Sequence, residues 1–435
     1  MALAWGRAHR LSHDEQYPRY RDTAFAPDGL NGPVTFFGRG RSYGDVALND
    51  GGTVVRTERL DRMIDADWDT GVIRAEAGMS IDQLLRISVP RGWFVPVTPG
   101  TKFVSLAGAV ANDVHGKNHH AVGSFGGHVL SLELQRSDGQ VLTLSAAENS
   151  DLFALTISGL GLTGFIAAVE LQLVPISSPM MTVENLPMAN LEAFFALSSE
   201  SADWPYSVAW VDCFAKGADL GRGIFTRARH SRKATALVSH KSDARLTWPV
   251  DAPGWLLNRS TISAFNTAYR ARPGARFRGA QHYAPFFYPL DGINHWNRMY
   301  GRRGFYQHQC IVPAEVAEPA IRALLGTIAD AGQGSFLAVL KQHRAETSPG
   351  RNSFCMDGTS LALDFANKGE TTRALLAELD RIALSHEGRM YPAKDGVMSA
   401  QTYQRCYPNW GELEAARDPA LNSAFWQRVT ETIPA

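Results

Sequence analysis

Short runs of alternating apolar and polar residues, broken by glycine, dominate the first 175 positions. Leu130, Leu132 and Leu134 alternate with Ser131, Glu133 and Gln135, the period-2 signature of a half-buried strand. The turn Ser137-Asp138-Gly139 leads to a second run at 141–144, which predicts a hairpin. Val34–Phe37, Thr53–Arg56 and 72–75 read as further strands, and 169–174 alternates again before Pro175. Ser80-Ile81-Asp82-Gln83 has the form of a capping box, with Ser at N-cap and Gln three residues on, opening a helix through Ile87. Residues 151–157 read as another helix.

From about 176 the texture changes. Aromatic-rich stretches at 206–212 and 305–312 read as strands, and 313–331 and 371–386 as helices. The tail carries Tyr391-Pro392-Ala393-Lys394-Asp395 and then a polar helical segment. This distribution predicts an α+β fold, and 435 residues are too many for one ordinary domain. The first unit is expected over 1–175, completed by 388–435, and the second over 176–387, an antiparallel sheet flanked by helices.

Composition adds exclusions. Hydrophobic residues make up 45% and charged residues 20%, enough apolar surface for real cores. Lys plus Arg and Asp plus Glu are both 43, and this balance argues against nucleic acid as the main partner. Locally the balance fails. Between Arg222 and Arg278 twelve Lys and Arg face two acids, Asp243 and Asp251, with Trp248, Trp255, Leu256 and Leu257 interleaved. That stretch is either a solvated insertion or a surface that meets an anionic lipid headgroup or phosphate. No apolar run is long enough to cross a bilayer, and the first residues hold no apolar core of signal-peptide length. Cys213, Cys310, Cys355 and Cys406 lie far apart with no C-x-x-C pair, as expected of buried thiols in a reducing compartment. The expected location is the cytoplasm, with peripheral contact at the inner face of the membrane left open.

The glycines cluster. Gly159-Leu160-Gly161-Leu162-Thr163-Gly164 matches G-x-G-x-x-G, but that fingerprint needs a strand before it and a helix after it. Here a helix precedes and a period-2 strand follows, so the match is a decoy for a nicotinamide dinucleotide. Gly38-Arg39-Gly40-Arg41-Ser42-Tyr43-Gly44-Asp45 does follow a strand, yet the next strand begins too soon for a crossover helix. Successive backbone N–H groups in such a loop form an anion nest, and a plain tight turn is the alternative. The third cluster runs from Pro99-Gly100-Thr101 through Ser105-Leu106-Ala107-Gly108 and Asn112-Asp113-Val114-His115-Gly116-Lys117 to Gly126. Small residues this dense let backbone approach a large flat ligand. His115, His119, His120 and His128 fall nearby, but the run is mostly Gly, Asn and Lys, whereas metal sites usually add Asp, Glu or Cys at helical or hairpin spacing; no metal is expected.

With these motifs in hand, the chain resembles flavoproteins of the vanillyl-alcohol-oxidase-type superfamily, with a PCMH-type FAD domain. Within it, the run His115-Gly116-Lys117-Asn118-His119-His120, the segment from Pro289 to Gly301 and Tyr391–Asp395 resemble the decaprenylphosphoryl-β-D-ribose 2-oxidase family, over nearly the whole chain. The resemblance implies that the first unit binds FAD and the second binds substrate. Gly38 to Asp45 would wrap the FAD pyrophosphate. Pro99, Gly100, Thr101, Ser105, Leu106, Ala107, Gly108, Asn112, Asp113, Val114, His115 and Gly116 would line the ribityl chain and ring, with Gly161, Ile166 and Tyr391 completing the site. Many relatives attach FAD through a His in the first loop; Ser42 and Tyr43 stand there instead, so non-covalent FAD is expected.

The same resemblance implies oxidation of a secondary hydroxyl of a polyprenyl-phosphate-linked sugar to a keto-sugar, with a reductase partner completing an epimerisation and a role in cell-wall biogenesis. It assigns Lys394 as the active-site lysine and His115 to proton handling or to holding the hydroxyl. Tyr43, Lys117, Gln309, Lys341 and Lys394 would contact substrate. The chain departs from the family pattern at three positions, with Val208 in place of Ser, His343 in place of an aromatic residue and Ala362 in place of Cys. Two other readings stand beside this one: a soluble alditol or aldonolactone oxidase using oxygen, and a flavin-binding subunit without turnover.

Overall fold

A computed structural model describes residues 1–26, 29–238, 244, 246–344 and 348–430. Part of the basic stretch, including Asp243, and the last five residues lie outside the described residues. Two antiparallel sheets organise the chain. The first, of five strands, runs in the order Met63–Asp67, Val72–Glu76, Phe165–Gln172, Val129–Gln135 and Val141–Ser145. The second has eight: Arg278–His282, Met180–Met188, Gly223–His230, Tyr206–Val211, Ala338–His343, Gly358–Ala366, Phe305–Pro313 and Arg389–Met390. A small sheet at the N-terminus pairs Val34–Phe37 and Asp14–Gln16 with Thr53–Arg56, all parallel. Parallel neighbours need a crossover. Here the glycine-rich loop is that crossover, without a helix.

The expected hairpin forms in register, Leu132 opposite Leu144 and Leu134 opposite Leu142. The capping box is present in full: Gln83 N–H donates to Ser80 Oγ, and the Gln83 side chain reaches back to Ser80 N. Two boundaries differ from expectation. The strand expected at 169–174 begins at Phe165, because Phe165 to Val169 are buried on both faces and so show no alternation. The helix expected from 313 begins at Ala317, after a 3-10 turn at Ala314–Val316. Pro319 therefore falls in the first helical turn, where its missing N–H has no intrahelical acceptor to lose.

Period 2 makes the eight-stranded sheet two-sided. Gln307 and Gln309, Ala362 and Asp364, Val339 and Lys341, and Val208 and Trp210 share one face, and register sets Gln309 opposite Ala362 and Ala362 opposite Val339. Leu340, Leu361, Leu363 and Cys310 share the other. They form one apolar core with Leu324 and Ile328 of Ala317–Ala331 and Leu375 and Leu379 of Glu370–Ser385. Tyr403, Trp426 and Val429 from the tail helices belong to that same core. His308 lies on the core side. Burial alone would push its imidazole down, but the Asp380 hydrogen bond at 3.0 Å and Cys310 raise it to about 10. Among the described residues no helix is long and apolar enough to cross a membrane.

Candidate active site

The polar face of the large sheet roofs a cavity of about 710 Å³, within the usual range for ligand clefts. Its floor is the glycine-rich loop after Val34–Phe37 and the segment from Thr98 to Lys117. Every residue expected to hold flavin or substrate lines this cavity except Asp45, Leu106 and Asp113. Those three stand outside the lining. Leu106 is fully buried in the apolar core, as the first residue of the helix Leu106–Ala111. Asp113 takes a positive φ of 40°, and its carboxylate accepts from Ser124 Oγ at 2.9 Å, Gly126 N at 2.9 Å and Ser353 Oγ at 2.6 Å. It staples loops together behind the cavity wall. Asp45 turns away to Arg428, which donates to it at 2.7 Å.

The glycine-rich loop is held against the segment carrying Lys394. Tyr43 N–H donates to Ala393 C=O at 2.9 Å, and Arg428 bridges Asp45 and Asp395. Gly44 lies so close that a Cβ there would coincide with the Asp395 carbonyl oxygen. Arg39 donates to Gly78 C=O and to Gln83 of the capping box at 2.8 Å, so the helix start also fixes the loop. Arg41 lies 4.2 Å over the Trp5 ring, and its Nε is enclosed without a partner.

Across the cavity, Ser105 caps Leu106–Ala111, and Tyr391 OH donates to Asn112 C=O at 2.8 Å. Asn112 Nδ2 donates to Gly108 C=O, which leaves Asn112 Oδ1 buried without a partner. Gly161 adopts φ 76° between the helix Ser150–Thr156 and the strand Phe165–Gln172, the reverse of the order that a dinucleotide fingerprint requires. A Cβ at Gly161 or Gly100 would meet no atom within 4 Å. Open space lined by backbone, with an unpartnered amide oxygen and guanidinium at its margin, fits a large flat cofactor with a charged tail.

Four basic groups converge beyond this cradle. Lys394 Nζ lies 3.8 Å over the Tyr43 ring. His115 Nε2 meets the Gln309 amide nitrogen at 2.8 Å; with that nitrogen donating, the ring proton sits on Nδ1, which has no partner. Burial first, and then Lys341, push His115 well below its ordinary value and keep it neutral. Lys117 donates to the Phe286 carbonyl, and enclosure pushes its ammonium down to about 7. Lys341 is pushed down to about 8 for the same reason. What these half-buried lysines expose faces the cavity.

Sequence reasoning missed the acids. Asp364 is fully buried, accepting from Gln307 Nε2 at 2.5 Å and Tyr300 OH at 3.2 Å, and its field opposes the burial that pushes Lys394 down. Burial pushes the Asp364 carboxyl up. Two donors at its oxygens favour the charged form, whose field supports the Lys394 ammonium. Its signal was available: Asp364 follows Ala362 by two on one strand face. Asp291 lines the cavity beside Arg41 and accepts from Lys102 N–H at 2.9 Å.

A family profile for the FAD binding domain matches residues 28–145, the span that holds the loop and most of the cradle. The decaprenylphosphoryl-β-D-ribose oxidase of Mycolicibacterium smegmatis is 36% identical over 96% of this chain and 94% of its own length. The chain belongs to this oxidase family. It is an FAD-dependent oxidoreductase. Other relatives match over less. The L-gulono-1,4-lactone dehydrogenase of Mycobacterium tuberculosis is 32% identical over 51% of the chain and 46% of its own length. A putative D-arabinono-1,4-lactone oxidase of Neurospora crassa is 29% identical over 33% of the chain and 26% of its own length.

The close approach at Gly44 is a constraint that a single methyl tests. Gly44→Ala is expected to push the loop off Asp395 and to yield protein with most of its flavin lost, read from the visible absorbance per chain. Gly326→Ala, in an open position of Ala317–Ala331, should keep its flavin and gain about 0.5–1 kcal/mol in denaturant unfolding.

Proposed function

We propose that this family member oxidises a secondary hydroxyl of a polyprenyl-phosphate-linked sugar to a keto-sugar. The observation that carries the reading is the convergence of Lys117, Lys341 and Lys394 on one cavity, where Asp364 answers only Lys394. Enclosed ammonium groups without counter-charges are unfavourable unless an anion completes them. A sugar phosphate supplies that anion. The relative named for a decaprenylphosphoryl-ribose substrate supports the choice of class.

On this reading, residues 1–175, completed by 388–435, form the FAD-binding domain, and 176–387 form the substrate domain. The loop from Gly38 to Gly44 holds the pyrophosphate. Pro99 to Thr101, Ser105, Ala107, Gly108, Asn112 and Val114 to Gly116 hold the rest, with Gly161, Ile166 and Tyr391. When bound, FAD supplies the hydride-accepting ring. Lys117, Gln309 and Lys341 hold the phosphate by charge and hydrogen bonds. His115, kept neutral, accepts the hydrogen bond of the substrate hydroxyl or its proton at Nε2 once Gln309 gives way. Lys394, set by Tyr43 and Asp364, places positive charge where negative charge develops. The keto product is the substrate of a reductase partner that completes an epimerisation.

Tyr269, Arg272 and Phe277 bring the basic stretch to the cavity wall, and the same stretch exposes Val250 and Trp255. Basic and apolar groups together suit an anionic lipid surface, and we place the protein at the inner face of the membrane.

Three outcomes are expected. Acid denaturation should release all flavin from the polypeptide; colour that stays with the chain would show a covalent link. In anaerobic titrations, polyprenyl-phosphate pentoses should bleach the flavin far faster than free polyols or aldonolactones. Fast bleaching by free polyols, with peroxide formed in air, would favour the soluble-oxidase reading. Finally, phosphate binding needs protonated lysines, so KM for a phosphate-bearing substrate should rise as pH climbs through about 7 to 8. Lys341→Met should raise KM about 10-fold or more and remove the upper part of that rise.

A further inference from the structure

Behind the wall formed by Lys341 and His115, three chain segments bring soft ligands together. His119 opens the short helix His119–Val122, His343 ends the strand Ala338–His343, and Cys355 follows on the next loop. One ligand atom from each lies within 4.8 Å of the others. The His119 and His343 rings stand 4.4 Å apart between centroids. Both residues are buried, at 2% exposure each. Neither ring nitrogen of His119 has a hydrogen-bond partner, and neither does His343 Nδ1. Three unpartnered imidazole nitrogens in one buried cluster are costly as they stand.

We propose that His119, His343 and Cys355 form a zinc site, closed off from the substrate cavity and serving to lock these three segments together. Two imidazoles and a thiolate are a zinc-type donor set, with a water left to fill a fourth, tetrahedral position. Bonds of about 2.0–2.3 Å hold tetrahedral ligand atoms roughly 3.5 Å apart, so the present spacing needs a contraction of about 1 Å. The His343 Nε2 meets Ser360 Oγ at 2.9 Å, which leaves the unpartnered Nδ1 as the nitrogen available to ligate. Such an outer hydrogen bond fixes ring orientation in metal sites.

The balance of charge and protons is explicit. Burial keeps both histidines neutral, the form that ligates. It also pushes the Cys355 thiol well above its ordinary value, so zinc displaces one proton from sulfur and nothing is oxidised or reduced. Lys341 opposes the ion, and the Asp113 carboxylate, which bears on Cys355, favours it. The site stands apart from the cavity lining. It depends neither on the flavin nor on the choice of substrate.

The test uses the flavin-loaded full chain, dialysed against zinc-free buffer and titrated with zinc chloride against a chromophoric chelator. Zinc content is read by atomic emission and its ligands by X-ray absorption. We expect one zinc per chain, with one sulfur and two imidazoles. Cys355→Ser and His343→Phe should abolish stoichiometric binding, while flavin content and melting without zinc match the parent. Ser360→Ala should weaken affinity about 10–100-fold, and His128→Asn should change nothing. Zinc well below one per chain, a shell without sulfur, or equal retention by Cys355→Ser and His343→Phe would each overturn the site.

Discussion

The structure turns on one backbone contact, where the glycine-rich loop meets the segment from Tyr391 to Asp395. No side chain fits between Gly44 and the Asp395 carbonyl, and Tyr43 N–H closes the gap by donating to Ala393. Arg428 then clamps both partners from the tail helix Ala424–Thr430, through Asp45 and Asp395. Burial disfavours the Arg428 charge and raises Asp395, yet Asp395 and Asp45 together hold the guanidinium above its ordinary value. Arginine does not give up its proton in a protein, so the triad stays charged, and removing Arg428 would strand two enclosed carboxylates. The tail thus sets the distance between the cofactor loop and Lys394. Residues almost 400 positions apart in sequence define one site.

A second constraint is the two-sidedness of the large sheet. The same strands that bury Leu340, Leu361 and Leu363 in the helix-covered core project Lys341 and Ala362 over the cavity, with Asp364 buried on that same face. A one-residue slip in register would exchange the two sets. The core therefore fixes where the polar groups stand, and the chemistry inherits the rigidity of the packing. Asp364 shows the consequence: fully buried and held by Gln307 and Tyr300, it can orient Lys394 without reaching substrate.

How much of this was legible in the sequence follows from the range of each signal. The capping box and the hairpin are local patterns, and each forms as read, while the glycine clusters line the cavity. The strand that begins at Phe165 escaped because a strand buried on both faces has no alternation to see. Asp113 and Leu106 were carried along with their motif neighbours, although one staples loops and the other fills the core. A motif marks a stretch of chain, whereas the direction of each side chain is set by turns such as the positive φ at Asp113. Asp45 could not be read as an ion-pair residue from its surroundings, since its partner Arg428 lies at the far end of the chain. Asp291 was missed because a lone acid in a loop has no local pattern, and Asp364 because the alternation that puts it on the face of Ala362 does not say that this face borders a cavity.

The distribution of departures from the family pattern carries a further step. Val208 and Ala362 line the cavity on the sheet side, and His343 lies two residues from Lys341 on the same strand face, directed at His119 instead of the cavity. None falls in the glycine-rich loop or the cradle from Pro99 to Gly116. Val208 and Ala362 offer no side-chain hydrogen bond, so this stretch of the sheet-side wall is apolar, with Gln309 and Lys341 as its polar neighbours. Specificity built on hydrogen bonds discriminates more sharply than specificity built on apolar shape. On the proposed reading, the lysines would answer the phosphate, and this apolar stretch of wall would set the preference among sugars by shape.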